Sequence, residues 1–254
     1  MKSLFIITFF LFCSTVSAQK VLNISTGEYP PYTGKNLYKG GAVLHMVEEA
    51  FKAMGYKVKY HFLPWRRGYQ DSADGMYDAS AFYVCTKERQ ADHYCSENPV
   101  IRDEFVLFYN KNKRPPVWNE LSDLKNENIG LTLGYFYIDQ FISLAKKSKN
   151  NITTEIVKSD KQNFKKLLSG NITAFPCDRG VGQHILRNHF SKEQSSLIKH
   201  IDKVIFSETA HILFSKKSKM GKKYRDIFDR GMSVIINNGI KKRIVADSIL
   251  GLYD

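Results

Sequence analysis

Cysteine and tryptophan are scarce in this chain, at 4 and 2 of 254 residues. No Cys-x-x-Cys or His-x-x-x-His spacing occurs, so a metal site has little support and no cofactor is expected. Acidic residues are in deficit, 25 against 38 Lys and Arg, for a formal charge of +13. The lysines spread over predicted helix faces (Lys146, Lys147, Lys161, Lys165, Lys166, Lys222, Lys223) rather than clustering. That describes a solvated basic surface and speaks against nucleic-acid binding. No repeat, low-complexity tract, paired-acid motif or Ser/His/Asp arrangement stands out. His184 and His189, five apart, face different ways on a helix and read as surface residues.

Long apolar runs are also absent after the N-terminus. Met1 to Ala18 reads as a secretory signal: Lys2, the apolar stretch Leu4 to Phe12 broken only by Thr8, then Val16-Ser17-Ala18 as a cleavage site. Nine residues are too few to span a bilayer as a helix. The mature chain is expected to begin at Gln19 and to be soluble and exported. Three cysteines, Cys85, Cys95 and Cys177, would survive cleavage, and export permits a disulfide.

What is present is a globular composition, 43% hydrophobic and 13% aromatic, in strand and helix patterns that alternate. Val21 to Thr26 reads as a first strand. Gly27-Glu28-Tyr29-Pro30-Pro31-Tyr32 follows as a stiff loop whose Tyr29 and Tyr32 either wall a ligand or pack on the core. Gly41 to Met54 is an amphipathic helix and Lys57 to Leu63 a strand. Pro64-Trp65-Arg66-Arg67 opens a helix, and places Trp65 where open α/β sheets bind ligands. Tyr77 to Tyr83 and Phe105 to Tyr109 are further strands.

Between those two strands lies Cys85-Thr86-Lys87-Glu88-Arg89. Thr86 is a good N-cap for two helical turns up to His93, and Arg89 stands where a capping box would put an acid. A cation there opposes the helix dipole unless an anion joins it. The alternative is a surface Arg paired with Asp92 or Glu88.

Lys111 to Trp118, with Pro115-Pro116, reads as a connector. A second α/β unit then follows, with strands near Ile129 to Leu133, Thr153 to Val157, Ile172 to Phe175 and Ile201 to Phe206. Helices fall near Phe136 to Lys147, Asp160 to Leu168 and Arg179 to Phe190. A short strand His211 to Phe214 precedes two terminal helices split by Asn238-Gly239.

These landmarks occur in a telling order: Glu28-Tyr29-Pro30-Pro31-Tyr32, Gly75-x-x-Asp78, Thr86-x-x-Arg89, Ser96-x-x-Pro99, Leu121-x-x-Leu124 before Ile129-Gly130, Gly170 with Asp178, and Asn238-Gly239. On them the chain resembles the periplasmic solute-binding proteins of amino-acid ABC transporters, family 3, over essentially all of the mature sequence. The Pro64-Trp65-x-Arg67 element looks like that of a subgroup with mostly undefined ligands.

The resemblance implies an α/β, two-lobed type II periplasmic-binding fold with two hinge crossovers and a ligand cleft. Lobe one would be 19–110 with 207–254, and lobe two 111–206. The family's Arg that grips a ligand carboxylate falls on Arg89, and the Asp that grips an ammonium falls on Asp178. Asp178 is equally readable as a plain N-cap. Tyr29, Tyr32, Trp65, Arg67, Tyr83, Val84, Tyr135 and Phe136 complete the expected ligand set. Val84 and Tyr135-Phe136 stand where amino-acid binders usually carry hydroxyl residues, which favours a larger or more aromatic ligand, with Tyr137 as a further candidate wall.

The implied protein is a periplasmic monomer, not an enzyme, that serves an inner-membrane ABC permease. The alternatives are a lyase on the same fold, similar to cyclohexadienyl dehydratase, with Asp178 or Glu28 as acid, or a ligand sensor. Cys85–Cys95 is the expected disulfide, because Cys85–Cys177 would tie the lobes together; three buried thiols are the alternative. Closing so short a loop is worth roughly 3 kcal/mol on a chain-entropy model.

Overall fold

The computed structural model describes residues 20–135, 137–147 and 151–254. The expected signal segment and Phe136 lie outside them. In chain order the first half is β1 (Val21–Thr26), α1 (Ala42–Ala53), β2 (Lys57–Phe62), α2 (Trp65–Ala73), β3 (Ala79–Val84), α3 (Arg89–Asp92), β4 (His93–Cys95) and β5 (Ile101–Asn110). The second half is β6 (Asn128–Thr132), α4 (Ile138–Lys147), β7 (Thr153–Val157), α5 (Asp160–Ser169), β8 (Phe175–Asp178), α6 (Arg179–His189), α7 (Lys192–Leu197), β9 (Ile198–Ser215), α8 (Gly221–Asn237) and α9 (Ile240–Ile249).

The apolar spacing of α1 does what it promises. Val43, Leu44, Met46, Val47, Ala50 and Phe51 are all fully buried, against Leu22 and Ile24 of β1 and against α8. Helix α8 comes close because Gly231 faces the Ala50 carbonyl, which would lie 2.0 Å from any Cβ at 231. The main sheet runs β2-β1-β3-β9-β5-β8, with β4 also on β9, and β6-β7 form a parallel pair beside it. A second core gathers Leu107, Leu124, Ile129, Leu131, Tyr137 and Phe141.

Two antiparallel strands, β5 and β9, join the halves, paired from Ile101↔Ala210 to Asn110↔Ile198 with register shifts between Phe105 and Phe108. The sequence suggested two short strands where β9 is one continuous strand. The apparent break, Ser207-Glu208-Thr209, is polar yet pairs fully with Glu104-Asp103-Arg102. On β5, β8 already pairs with Phe105 through Phe108. Phe105 to Phe108 of β5 therefore bridge β9 on one side and β8 on the other.

The two turns expected from Thr86 shrink to the single turn of α3. His93 is drawn instead into β4, where it is 1% exposed and its Nε2 lies 2.8 Å from Ser72 Oγ. A Cys85–Cys95 disulfide, Cα atoms 6.1 Å apart, clips this segment, and Cys177 is free and buried. His184 is not a surface residue: it is 9% exposed and its Nδ1 contacts the Asp254 carboxylate, which Arg187 also reaches.

Candidate functional site

A cavity of about 540 Å³ opens between the two halves, lined by Tyr29, Trp65, Phe82, Tyr83, Arg89 and Tyr135 among others. Its first-half wall is aromatic. The loop after β1 closes on itself, Tyr29 N–H donating to Thr33 O at 2.7 Å and Thr33 N–H to Tyr29 O at 3.1 Å. That turn sends Tyr29 to the cavity and Tyr32 inward. The Trp65 ring lies on Gly27, where any Cβ would sit 2.3 Å from the ring. Tyr83 O–H donates to Trp65 O at 2.8 Å and meets the indole edge-on at 5.4 Å. Burial raises the Tyr83 pKa to about 12 despite the nearby Arg89.

Phe82 was not read from the sequence as a site residue. It sits at a register shift of β3 against β9, between Ala81 and Tyr83, with φ 69°. A bulky residue in the left-handed region costs on the order of 1–3 kcal/mol, and bulges of this kind re-aim side chains. Here the ring is placed in the cavity, 5.5 Å from Tyr29 and 5.6 Å from Tyr32.

Arg89 lies under the disulfide-clipped turn. Its Nη1 donates to Val84 O at 2.7 Å, and its guanidinium stacks over Tyr83 at 5.1 Å and Tyr69 at 5.7 Å. Among the described residues it has no acidic partner within 4.0 Å, so the surface pairing with Asp92 or Glu88 is not found. Stacking and one carbonyl fix the fork while leaving donors free for an anion.

Tyr135 forms the opposite wall. Its O–H donates to Asp160 Oδ2 at 2.7 Å and its ring stacks on Tyr137 at 5.3 Å. Tyr137 itself is core: 1% exposed, it donates to Pro176 O. The floor is made by β5 and β9, whose Asp103 and Glu208 lie directly opposite each other. One Asp103 carboxylate oxygen is buried without a hydrogen bond. Burial, with Asp178 and Glu208 nearby, pushes its pKa up to about 8.

The structure thus brings Tyr29, Trp65, Tyr83, Val84, Arg89 and Tyr135 together around one cavity. It does not bring Arg67, Tyr32 or Asp178 to the same wall. Arg67 is solvent-exposed and pairs with Asp71 at 3.4 Å. Asp178, 1% exposed, accepts from Tyr32 O–H at 2.8 Å, Val181 N–H at 3.0 Å and Glu104 N–H at 3.1 Å, and so caps α6. Burial raises the Asp178 pKa, and its donors oppose that rise. Asp103 and Glu208 escaped the sequence reading because their pairing joins distant parts of the chain. No group of His, Cys, Asp and Glu able to hold a metal occurs among the described residues.

No family model matches the chain, and no curated protein sequence does. Solved structures match it along most of its length. The probable amino-acid ABC transporter extracellular-binding protein ytmK from Bacillus subtilis gives a TM-score of 0.73 at 15% identity, over 89% of this chain and 96% of that one. Substrate-binding domain 2 of Lactococcus lactis GlnP, in its open conformation, gives 0.71 at 16% identity, over 91% and 96%. A histidine kinase sensor domain with similarity to periplasmic binding proteins gives 0.65 at 14% identity, over 90% and 96%. At such identities the likeness is one of fold: the chain has the α/β, two-lobed periplasmic-binding architecture.

Proposed function

We propose that this chain is an exported solute-binding protein that captures a small carboxylate-bearing ligand, an amino acid or a related compound, between its lobes. The observation that carries the reading is Arg89: a guanidinium fixed by stacking, without an acidic partner, on the wall of an aromatic cavity. Aromatic walls with few polar groups are what small-ligand sites offer. Lobe one would comprise about 19–110 with 207–254 and lobe two 111–206, hinged where β5 and β9 cross between them. Closure about those strands would bring Tyr135 onto the ligand. The protein would act as a monomer without cofactor or catalysis, and deliver its ligand in the periplasm to an ABC permease of the inner membrane.

Native mass spectrometry of the purified protein, followed by rebinding of any released solute, tests this. A carboxylate-bearing solute that binds the wild type but not Arg89→Ala is the expected result. Unchanged affinity in Arg89→Ala would refute the carboxylate grip.

Two observations keep other readings in play. Asp103, a cavity acid with its pKa raised to about 8, is a suitable proton donor for a lyase-type enzyme. Turnover of the bound solute would decide for that reading. The sensor-domain likeness allows a sensory role, for which a dedicated kinase partner would have to be found by co-purification.

A further inference from the structure

Arg89, Asp103 and Glu208 all line one cavity, and none has an ion-pair partner within 4.0 Å among the described residues. Asp103 and Glu208 stand as a direct cross-strand pair. Two carboxylates so placed oppose each other's ionisation. The chain is rich in Lys and Arg, yet none of those among the described residues forms an ion pair with either acid. The next residues show how readily the fold could do so. Glu104, on the other face of β5, pairs with Arg179 at 3.6 Å, and Arg179 also binds Asp202 at 2.8 Å. On the cavity face an Asp103 oxygen remains buried and unbonded. Around the acids stand Tyr29, Phe82, Phe105 and Tyr135, whose ring faces favour a cation.

We infer that the ligand is dipolar, and that Asp103 and Glu208, rather than Asp178, receive its cationic group at the end of the cavity away from the Arg89 carboxylate site. This rests on the proposed function above and adds the second half of the ligand. Asp178 is fully engaged, with Tyr32, Val181 and Glu104 as donors, and a ligand ammonium would have to displace them. Asp103 needs no such exchange. A cation there would supply the missing partner of its buried oxygen and relieve the repulsion from Glu208. The aromatic rings that share the cavity lining fit a flat or apolar body.

Calorimetry with two matched probe sets tests the assignment. One set is para-(aminomethyl)benzoate, para-toluate and para-methylbenzylamine; the other is L-phenylalanine, hydrocinnamate and phenethylamine. Each contains a dipolar member, an acid without the amine and an amine without the acid. In at least one set the dipolar probe should bind well over tenfold tighter than its acid, the scale of a desolvated charge pair. Asp103→Asn and Glu208→Gln, checked for folding by their melting transitions, should remove most of that gain without weakening the acid. The inference is overturned if neither dipolar probe binds, if the acids bind as tightly, or if only Asp178→Asn removes the gain. Acids that bind equally well but depend on Arg89 would leave the proposed function standing. Affinities that survive Arg89→Ala would remove that function as well.

Discussion

The two faces of β5 handle buried charge in opposite ways. On the back face Asp178 collects hydrogen bonds from Tyr32, Val181 and Glu104, while Arg179 bridges Glu104 and Asp202. The carboxylates of Asp178 and Glu104 are thus both answered from within the fold. On the cavity face, one residue along the strand, Asp103 lies opposite Glu208, and among the described residues neither of them nor Arg89 has an ion-pair partner. Charge satisfied internally holds a structure together; charge left unanswered inside a cavity is available to a ligand.

The contrast can be broken first at Asp178. Asp178→Ala strands the buried Tyr32 hydroxyl and Val181 amide at about 1–3 kcal/mol each, so a loss of roughly 4 kcal/mol is expected in denaturant unfolding. Asp103→Ala strands no donor and should be neutral or stabilising. Equal losses for the two would erase the distinction.

Arg89→Ala should act on binding instead. A loss of about 2–5 kcal/mol in affinity for the natural solute is expected. The unliganded melting temperature should hold while the ligand-induced rise disappears. An unliganded protein that melts much lower would make Arg89 a structural residue.

A further effect reads the cavity face by pH. Asp103 has its pKa raised to about 8 in the fold, above the unfolded value of about 3.9. The folded state therefore holds a proton that the unfolded chain releases, and stability falls as pH rises between those values. Asp103→Asn removes this term. Its melting temperature should match the wild type near pH 4 and overtake it increasingly up to about pH 8. Asp178 and Glu208 both add electrostatically to the rise at Asp103, so Glu208→Gln should show part of the same gain. Parallel pH curves for wild type and Asp103→Asn would contradict the burial argument.

The least perturbing test is optical. Trp65 lines the cavity, whereas Trp118 carries Lys203 over its ring at 4.4 Å, away from it. Ligand-dependent fluorescence should survive Trp118→Phe and vanish in Trp65→Phe. The reverse outcome would move the ligand off the aromatic wall.

Much of this architecture was legible in the chain itself. The apolar spacing of Val43, Met46, Val47, Ala50 and Phe51 dictated a buried helix, because side chains three and four apart share one helical face. Strand and helix alternation carried the α/β class, and short-range chemistry marked Thr86 to Arg89, the Tyr29 loop and Trp65. Cys85 and Cys95 flank one short turn, so their pairing needed only local closure. Other features depended on partners far along the chain. Thr86 proposed a longer helix, but His93 found Ser72 and β9, and tertiary pairing overrode the local preference. Tyr29 and Tyr32 look alike in sequence, yet the turn sends one to the cavity and the other to Asp178. Ser207-Glu208-Thr209, polar and lying between the two short strands expected at 201–206 and 211–214, is continuous strand because β5 supplies its hydrogen bonds. The sequence determined which segments bury apolar surface, since that follows from local periodicity. Only the tertiary structure decided which charges are neutralised, since a carboxylate's fate depends on what distant backbone and side chains bring to within hydrogen-bonding distance.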